Sequence, residues 1–287
     1  MHKDLSLFSD AQLAAVIEAE AFRHERECTP ASEPHAVLLA GQPGAGKTEL
    51  STMIMKSFPY GGCAFINGDD YRRLHPNYRQ LYKEHGSDSV TMTSKFSSMV
   101  TEAMIARLSD LRVNLIVEGT GRTVEVPKIT SELLSEKGYK VELAVIAARP
   151  EISLISTLLR FYHMNEGGTI PRATAREAHD KVVNCLPGNL DTLKGLPSIS
   201  RITIWDRELN QLYDSRIHEV EPSTVLTGFW DRPWPEEEIQ KAKETVEILR
   251  QKELVFNLGQ MATIEELACR IDDIEYRQMQ MQGMTLL

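Results

Sequence analysis

Residues 41–48 read Gly41-Gln42-Pro43-Gly44-Ala45-Gly46-Lys47-Thr48, an unbroken GxxxxGK[ST] string. The string follows the apolar run Ala36–Ala40 (AVLLA) and precedes a helical pattern around 48–57. That strand-to-helix context lets the string wrap a phosphate, whereas a glycine-rich turn that merely preceded Lys-Thr would lack both flanks. Glycines allow backbone N–H groups to turn inward, and the helix N-terminus adds partial positive charge. The spacing gives Gly41, Gln42, Pro43, Gly44, Ala45, Gly46, Lys47 and Thr48 to a nucleoside triphosphate. Lys47 would reach its β- and γ-phosphates, and the Thr48 hydroxyl would ligate Mg²⁺.

Outward from this loop the chain alternates short apolar runs with helical patterns. Cys63–Asn67 (CAFIN), Asn114–Val117 (NLIV) and Lys140–Ala147 (KVELAVIA) suit strands buried on both faces of a parallel sheet. Helices are expected around 89–109, 127–137, 150–164 and 174–186, the last with a Thr174–Glu177 capping box. Arg201–Trp205 and Gln211–Tyr213 flank the polar turn Asp206–Asn210 and read as a hairpin. Such alternation predicts an α/β fold with a P-loop kinase-type parallel sheet flanked by helices.

Two helical segments bracket this core. Ser9 and Gln12 have capping-box spacing, with Phe8 and Leu13 as the staple, and the first helix should fade near Glu27. Thr227–Pro235 (TGFWDRPWP) reads as a packed turn or boundary. Beyond it, Ile239, Ala242, Val246 and Leu249 line one helix, and a Thr263–Glu266 box opens another with Ile264, Leu267, Ile271 and Ile274 on its face. The expected units are residues 1–34 (N-terminal helix and linker), 35–232 (kinase domain) and 233–287 (helical C-terminal appendage).

Composition narrows the function. The 287 residues carry 32 Lys+Arg against 41 Asp+Glu, a formal charge of −9, which argues against a broad nucleic-acid surface. Residues 233–287 hold 11 acidic and 6 basic side chains, so the excess is concentrated in the C-terminal part. No apolar run approaches the ~20 residues that span a bilayer, and the start lacks a signal-peptide core. Cys28, Cys63, Cys185 and Cys269 lie far apart without a CxxC, so a reduced, cytoplasmic setting is expected. No Asn-Lys-x-Asp string marks a guanine-specific switch.

Phosphoryl transfer needs a carboxylate to orient the acceptor and cations on the moving group. Asp69 and Asp70 come after the Cys63–Asn67 strand, and Glu118 closes the next one. A loop-borne Asp69 beyond Gly68 would be aimed without a helix fixing its direction. The same aspartates equally suit a helix N-cap, and Glu118 equally suits a satisfied strand-end carboxylate. Arg160 and Arg172 are candidate clamps or, alternatively, surface ion pairs.

These strings together resemble the zeta toxin family, the kinase partner of toxin–antitoxin pairs. The resemblance runs nearly collinearly from about residue 9 to about residue 250. It rests on GQPGAGKT (41–48), NGDDYRRLHPNY (67–78), VTEAMIARLSD (100–110), NLIVEGTGRTVEVP (114–127), LLRFY (158–162), RATAREAHDKVVNCLPGNLDTL (172–193) and WDRELNQLYDS (205–215). It implies ATP- and Mg²⁺-dependent phosphorylation of UDP-N-acetylglucosamine at the 3′-hydroxyl of its amino sugar, which blocks peptidoglycan synthesis. By position, Asp69 would activate that hydroxyl, Lys47 would stabilise the β- and γ-phosphates, and Arg160 and Arg172 would clamp the γ-phosphate. Substrate contacts fall on Asp69, Glu102, Glu118 and Thr120, with Arg122 a further cation for the sugar diphosphate. A small helical antitoxin binds the N-terminal helical region in many members. The family's acidic turn has one aspartate where this chain has two, and aligning Tyr71 and His75-Pro76-Asn77 selects Asp69.

Two other readings stay open at this level. One is a kinase of the same fold acting on a different UDP-sugar or a nucleoside. The other is a catalytically silent nucleotide-binding module. The tail after about 254 either packs on the kinase's own flank or restrains activity or docks a partner.

Overall fold

The Ser9 hydroxyl accepts from Gln12 N at 3.2 Å, and the Gln12 side chain accepts from Ser9 N at 2.9 Å. Both reciprocal bonds of the expected box are made, and they open α1 (Asp10–Glu27). This helix is the first element of a computed structural model that describes residues 4–59, 62–171 and 174–285.

Among the described residues, β1 (His35–Ala40), β2 (Cys63–Asn67), β3 (Asn114–Glu118), β4 (Lys140–Ile146), β5 (Arg201–Trp205) and β6 (Gln211–Asp214) form one sheet in the order β2-β3-β1-β4-β5-β6. Every pairing is parallel except that of β6, which turns back on β5 as the expected hairpin. The helices between are α2 (Lys47–Ser57), α3 (Gly68–Arg72), α4 (Tyr78–His85), α5 (Ser89–Met92), α6 (Ser94–Asp110), α7 (Glu125–Glu136), α8 (Pro150–Glu166), α9 (Arg176–Lys194), α10 (Pro222–Trp230), α11 (Glu236–Phe256) and α12 (Met261–Thr285). None of the described helices is long and apolar enough to cross a membrane.

Strand alternation divides the core. Ala36, Leu38 and Ala40 face a large cluster with Phe96, Val100 and Met104 of α6 and Leu186, Leu190 and Leu193 of α9. Val37 and Leu39 face the opposite way, toward Leu50 of α2. A third cluster contains no strand at all. Leu154, Leu158 and Tyr162 of α8 pack there with Ile239, Val246 and Leu249 of α11 and Ile264, Leu267 and Ile271 of α12. The apolar face of the tail is therefore covered by the protein's own α8 and α11.

Five expected boundaries differ. The helix around 89–109 is divided at Thr93 into α5 and α6, and there the Thr93 hydroxyl (2.8 Å) and backbone N–H (3.0 Å) share Ser89 O. The helix expected to end at 186 continues through Pro187 to Lys194. Burial of Leu190 and Leu193 outweighs the ~3 kcal/mol that an interior proline costs. Neither downstream capping box forms. Helix α9 starts after Ala175 with no side-chain cap, and α12 starts at Met261, ahead of Thr263. Glu177 and Glu266 pair with Arg176 instead. Of the stretch read as a turn, 227–230 is the last turn of α10, pinned by fully buried Leu226.

A single carboxylate closes the α11–α12 turn. Glu253 is buried, and its Oε1 accepts from Gly259 N (2.6 Å) and Gln260 N (3.0 Å). Its Oε2 accepts from Leu258 N (3.1 Å) and from the Tyr162 hydroxyl (2.6 Å). Glu253→Ala strands the buried Tyr162 hydroxyl and three part-buried backbone donors, so denaturant unfolding should show a loss of about 2–3 kcal/mol, against about 1 kcal/mol for Tyr162→Phe. At the amino end of the sheet, Glu142 lies 2.7 Å from Lys140, 3.1 Å from Arg216 and 3.6 Å from His35. Burial alone would raise its pKa, but the nearby His35 and Lys140 bring it down to about 2. A depressed carboxylate stabilises the fold above its ordinary value of 4.5, and that contribution fades as the pH falls toward about 2. Glu142→Gln should lose about 1–2 kcal/mol at pH 7 after screening, and the gap should narrow steadily in acid melts.

Candidate active site

Parallel register sets the site. Glu118 of β3 stands opposite Leu39 of β1 on one side and Asn67 of β2 on the other. The three strands therefore end on one line, and the turn after each strand is delivered to the same edge, as open α/β sheets require of a ligand crevice. Beyond Leu39 comes the glycine loop, beyond Asn67 the acidic turn, and beyond Glu118 the Gly119–Thr120–Gly121 turn.

The loop closes around Lys47. Its ammonium is buried and donates to Gly41 O (2.9 Å) and Gln42 O (3.3 Å), with Glu118 Oε1 at 3.9 Å. Burial pushes the ammonium below its usual range, while Glu118 pulls it back. The Glu118 carboxyl is pushed up by the same burial against the pull of Lys47. The charges of Asp69 and Arg160 act on both groups, so these four sequence-assigned residues share one field. Helix α2 begins at Lys47 with Gly46 as a cap that has no side chain to offer. Its first N–H groups are left for an anion. Gly44 shows why this loop tolerates nothing larger: at φ +77°, a Cβ there would lie 2.0 Å from Ser153 O of α8. Thr48, next in the helix, is exposed on its first turn.

Asp69 is not on a loop. Asn67 caps α3 by accepting from Asp69 N at 3.0 Å, which puts Asp69 in the first helical turn. The expectation that no helix fixes its direction is thus corrected, because Asn67 and not an aspartate takes the cap. Asp69 Oδ1 is paired with Arg72 Nε at 2.9 Å, and Arg72 in turn donates to Val90 O at 2.6 Å. Asp70 instead lines a groove against α1 with Glu20, Arg23 and His24. Helix α3 rests on α6, where the Ser97 hydroxyl donates to Gly68 O, and Glu102 is exposed on the same helix.

The turn after Glu118 is tied down on three sides. Gly119 N donates to Leu39 O (3.0 Å), Gly41 N to Thr120 O (3.2 Å) and Asn189 Nδ2 to Gly121 O (2.9 Å). Gly121 has φ +70°, and a Cβ would meet Leu186 at 2.6 Å, so glycine is needed for the turn to lie on α9. Thr120 Oγ1 accepts from Arg122 N at 3.3 Å, and the Arg122 side chain is exposed. Arg160 projects from α8 into an open groove that it shares with Ser156, His163 and Thr169. Arg172 lies outside the described residues.

Two residues have no role that sequence reasoning finds. Arg72 sits inside the acidic turn three residues after Asp69, a spacing that pairs them only because α3 is a helix and not the expected loop. Arg207, in the β5–β6 turn, donates to Ser156 Oγ at 3.2 Å, and its Nε lies 3.8 Å from where a Gly46 Cβ would be. Asp206 builds that turn by accepting from Asn210 N (2.8 Å) and Nδ2 (2.9 Å). A signal is present in the string WDRELN, since an Asp that can form such a turn precedes the arginine. Among the described residues no cluster of three or more His, Cys, Asp or Glu could hold a metal by itself. The donors present suit a cation carried on phosphate and finished by the Thr48 hydroxyl.

Known proteins resemble this chain in sequence and in fold. Toxin PezT of Streptococcus pneumoniae serotype 4 is 42% identical over 209 residues, covering 72% of this chain and 81% of that protein. Toxin zeta of Streptococcus pyogenes is 38% identical over 216 residues, 75% of each. A solved structure from the PezAT chromosomal toxin–antitoxin system of S. pneumoniae superposes with a TM-score of 0.76 at 34% identity, covering 86% of this chain and 99% of that one. The zeta toxin profile itself matches residues 18–218. The chain belongs to the zeta toxin family.

Proposed function

We propose that this protein is a kinase that transfers the γ-phosphoryl group of ATP to the 3′-hydroxyl of the amino sugar of UDP-N-acetylglucosamine. The product withdraws a cell-wall precursor and so blocks peptidoglycan synthesis. The observation that carries the reading is the strand register that brings the glycine loop with its buried Lys47, the Glu118 carboxylate and the acidic turn of Asp69 to one sheet edge.

The residues divide the chemistry between them. ATP, when bound with Mg²⁺, supplies the phosphoryl group and much of the charge neutralisation. The uncapped start of α2 receives its phosphates, with Lys47 at the β- and γ-positions and the Thr48 hydroxyl on the cation. Arg160, and Arg172 by family position, place planar guanidiniums on the γ-phosphate, a group to which they fit better than ammonium. Asp69 orients the sugar hydroxyl and takes its proton late. Its place on α3 and its pairing with Arg72 hold it to one direction. Glu102, Glu118, Thr120 and Arg122 complete the sugar-nucleotide side. Asp69 is favoured over Asp70 as the base because its charge bears on both Lys47 and Glu118, whereas Asp70 bears on Glu118 alone and lines the α1 groove. A small helical antitoxin is the partner proposed for the α1 region, in keeping with the toxin–antitoxin system of the PezAT relative.

Purified protein incubated with ATP, Mg²⁺ and UDP-N-acetylglucosamine should yield a sugar nucleotide one phosphoryl group heavier, read by mass spectrometry. Asp69→Ala should cut turnover about a thousandfold while ATP still binds. A phosphorylated nucleoside or other UDP-sugar in place of this product would move the acceptor. ATP binding with no acceptor turned over would favour the silent module. Arg72→Ala should lower kcat about ten- to hundredfold with the KM for ATP unchanged, since it disturbs only the aim of Asp69. Arg72→Lys should fall between.

A further inference from the structure

A line of buried polar groups joins the glycine loop to the last helix. Gln42, Ser153 and His179 are fully buried. Gln42 Nε2 donates to Ala148 O at 2.7 Å and to Ser153 Oγ on α8 at 3.3 Å. Ser153 Oγ lies 2.7 Å from His179 Nε2 on α9, and His179 Nδ1 lies 3.0 Å from Asp180 Oδ1. Asp180 Oδ2 accepts from Arg270 Nη2 at 2.8 Å, and Arg270 belongs to α12. Glu266, one turn earlier, accepts from Arg270 at 2.9 Å and from Arg176 at the start of α9.

The protons in this line have one consistent order. Burial works against the Asp180 carboxylate, but the bonds from Arg270 and His179 hold its pKa below the ordinary value. A carboxylate only accepts, so His179 carries its proton on Nδ1. Burial keeps the ring neutral, which leaves Nε2 as an acceptor for the Ser153 hydroxyl. Ser153 Oγ then accepts from Gln42. The Ser153 hydroxyl also lies 2.8 Å from Pro150 O, but donating there would call for a proton on His179 Nε2 and set a bare Nδ1 against the carboxylate. Arg270 thus fixes the charge that fixes the His179 tautomer, and the ring in turn holds Ser153 Oγ where Gln42 Nε2 reaches it.

We propose that Arg270 is a positioning residue for nucleotide binding, through which the C-terminal helix holds the glycine loop in its phosphate-binding shape. Two features give the line leverage. The carbonyl of Gln42 is one of the two that receive Lys47 Nζ, so a turned Gln42 disturbs the ammonium. Gly44 has no clearance from Ser153 O, so a shifted α8 shifts the loop. This deepens the proposed kinase reading but needs only that the loop binds ATP.

The test uses full-length protein and titrates Mg²⁺ with a fluorescent ATP analogue, alongside steady-state kinetics and thermal melts. Arg270→Ala should weaken analogue binding and raise the KM for ATP by about tenfold. The KM for the sugar nucleotide should stay within about twofold. Arg270→Lys should recover part of the loss, because a point charge cannot grip both carboxylate oxygens. Arg250→Ala removes another bidentate pair between α11 and α12, to Glu265 at 2.8 Å through both nitrogens, and should leave ATP affinity unchanged. If Arg270→Ala does not fold, Asp180→Asn carries the same expectation with less disturbance. Unchanged ATP affinity in a folded Arg270→Ala or Asp180→Asn overturns the proposal. So does a parallel rise in both KM values with an equal effect of Arg250→Ala, which would mark a plain staple. Wild-type protein that binds the analogue but phosphorylates no sugar nucleotide would defeat the kinase reading and leave this one standing.

Discussion

A buried ammonium is expensive to desolvate, and the centre of this molecule is arranged around one. Lys47 is acceptable only because two loop carbonyls and the Glu118 carboxylate reach it. The carbonyls require the loop's glycines. The carboxylate requires that β3 lie beside β1 with Glu118 across from Leu39. That register in turn carries β2, whose end places Asp69 in the same field. The sheet order, the loop geometry and the acidic turn all converge on this single buried charge.

Much of this is legible in the sequence because it is periodic or local. The glycine loop has a fixed spacing, and the buried strands stand out as short apolar runs between helical patterns. The Ser9–Gln12 box is readable because both partners sit within one turn. The boxes at Thr174 and Thr263 have the same spacing and fail because the helices start elsewhere, α9 after Ala175 and α12 at Met261. Of the arginine pairs their glutamates make, only Arg176–Glu266 spans the chain, and a contact of that range leaves no trace in spacing. Pro187 misleads for a related reason, since the leucines that carry α9 past it are buried against elements far away in the chain.

The site divides along the same line. Lys47, Thr48, Asp69, Glu118, Arg160 and Arg172 are assignable from motifs and family resemblance. Arg72 and Arg207 act through geometry, one by pairing with Asp69 and the other by standing beside Gly46. Nor could any local pattern show that Glu253 closes the turn between two tail helices and bonds to Tyr162 of α8. A glutamate in a charged helix reads as a solvated side chain until the fold buries it.

The position of α8 has a consequence for how the protein is made. Its outer face is covered by residues from Ile239 to Ile271, yet its other contacts brace a loop encoded near residue 44. Domains form in the order in which they emerge from the ribosome. The sheet and the glycine loop are therefore synthesised well before the helices that complete the wall behind them. For a member of a toxin family, this order leaves the wall behind the nucleotide loop unfinished until α11 and α12 have been made.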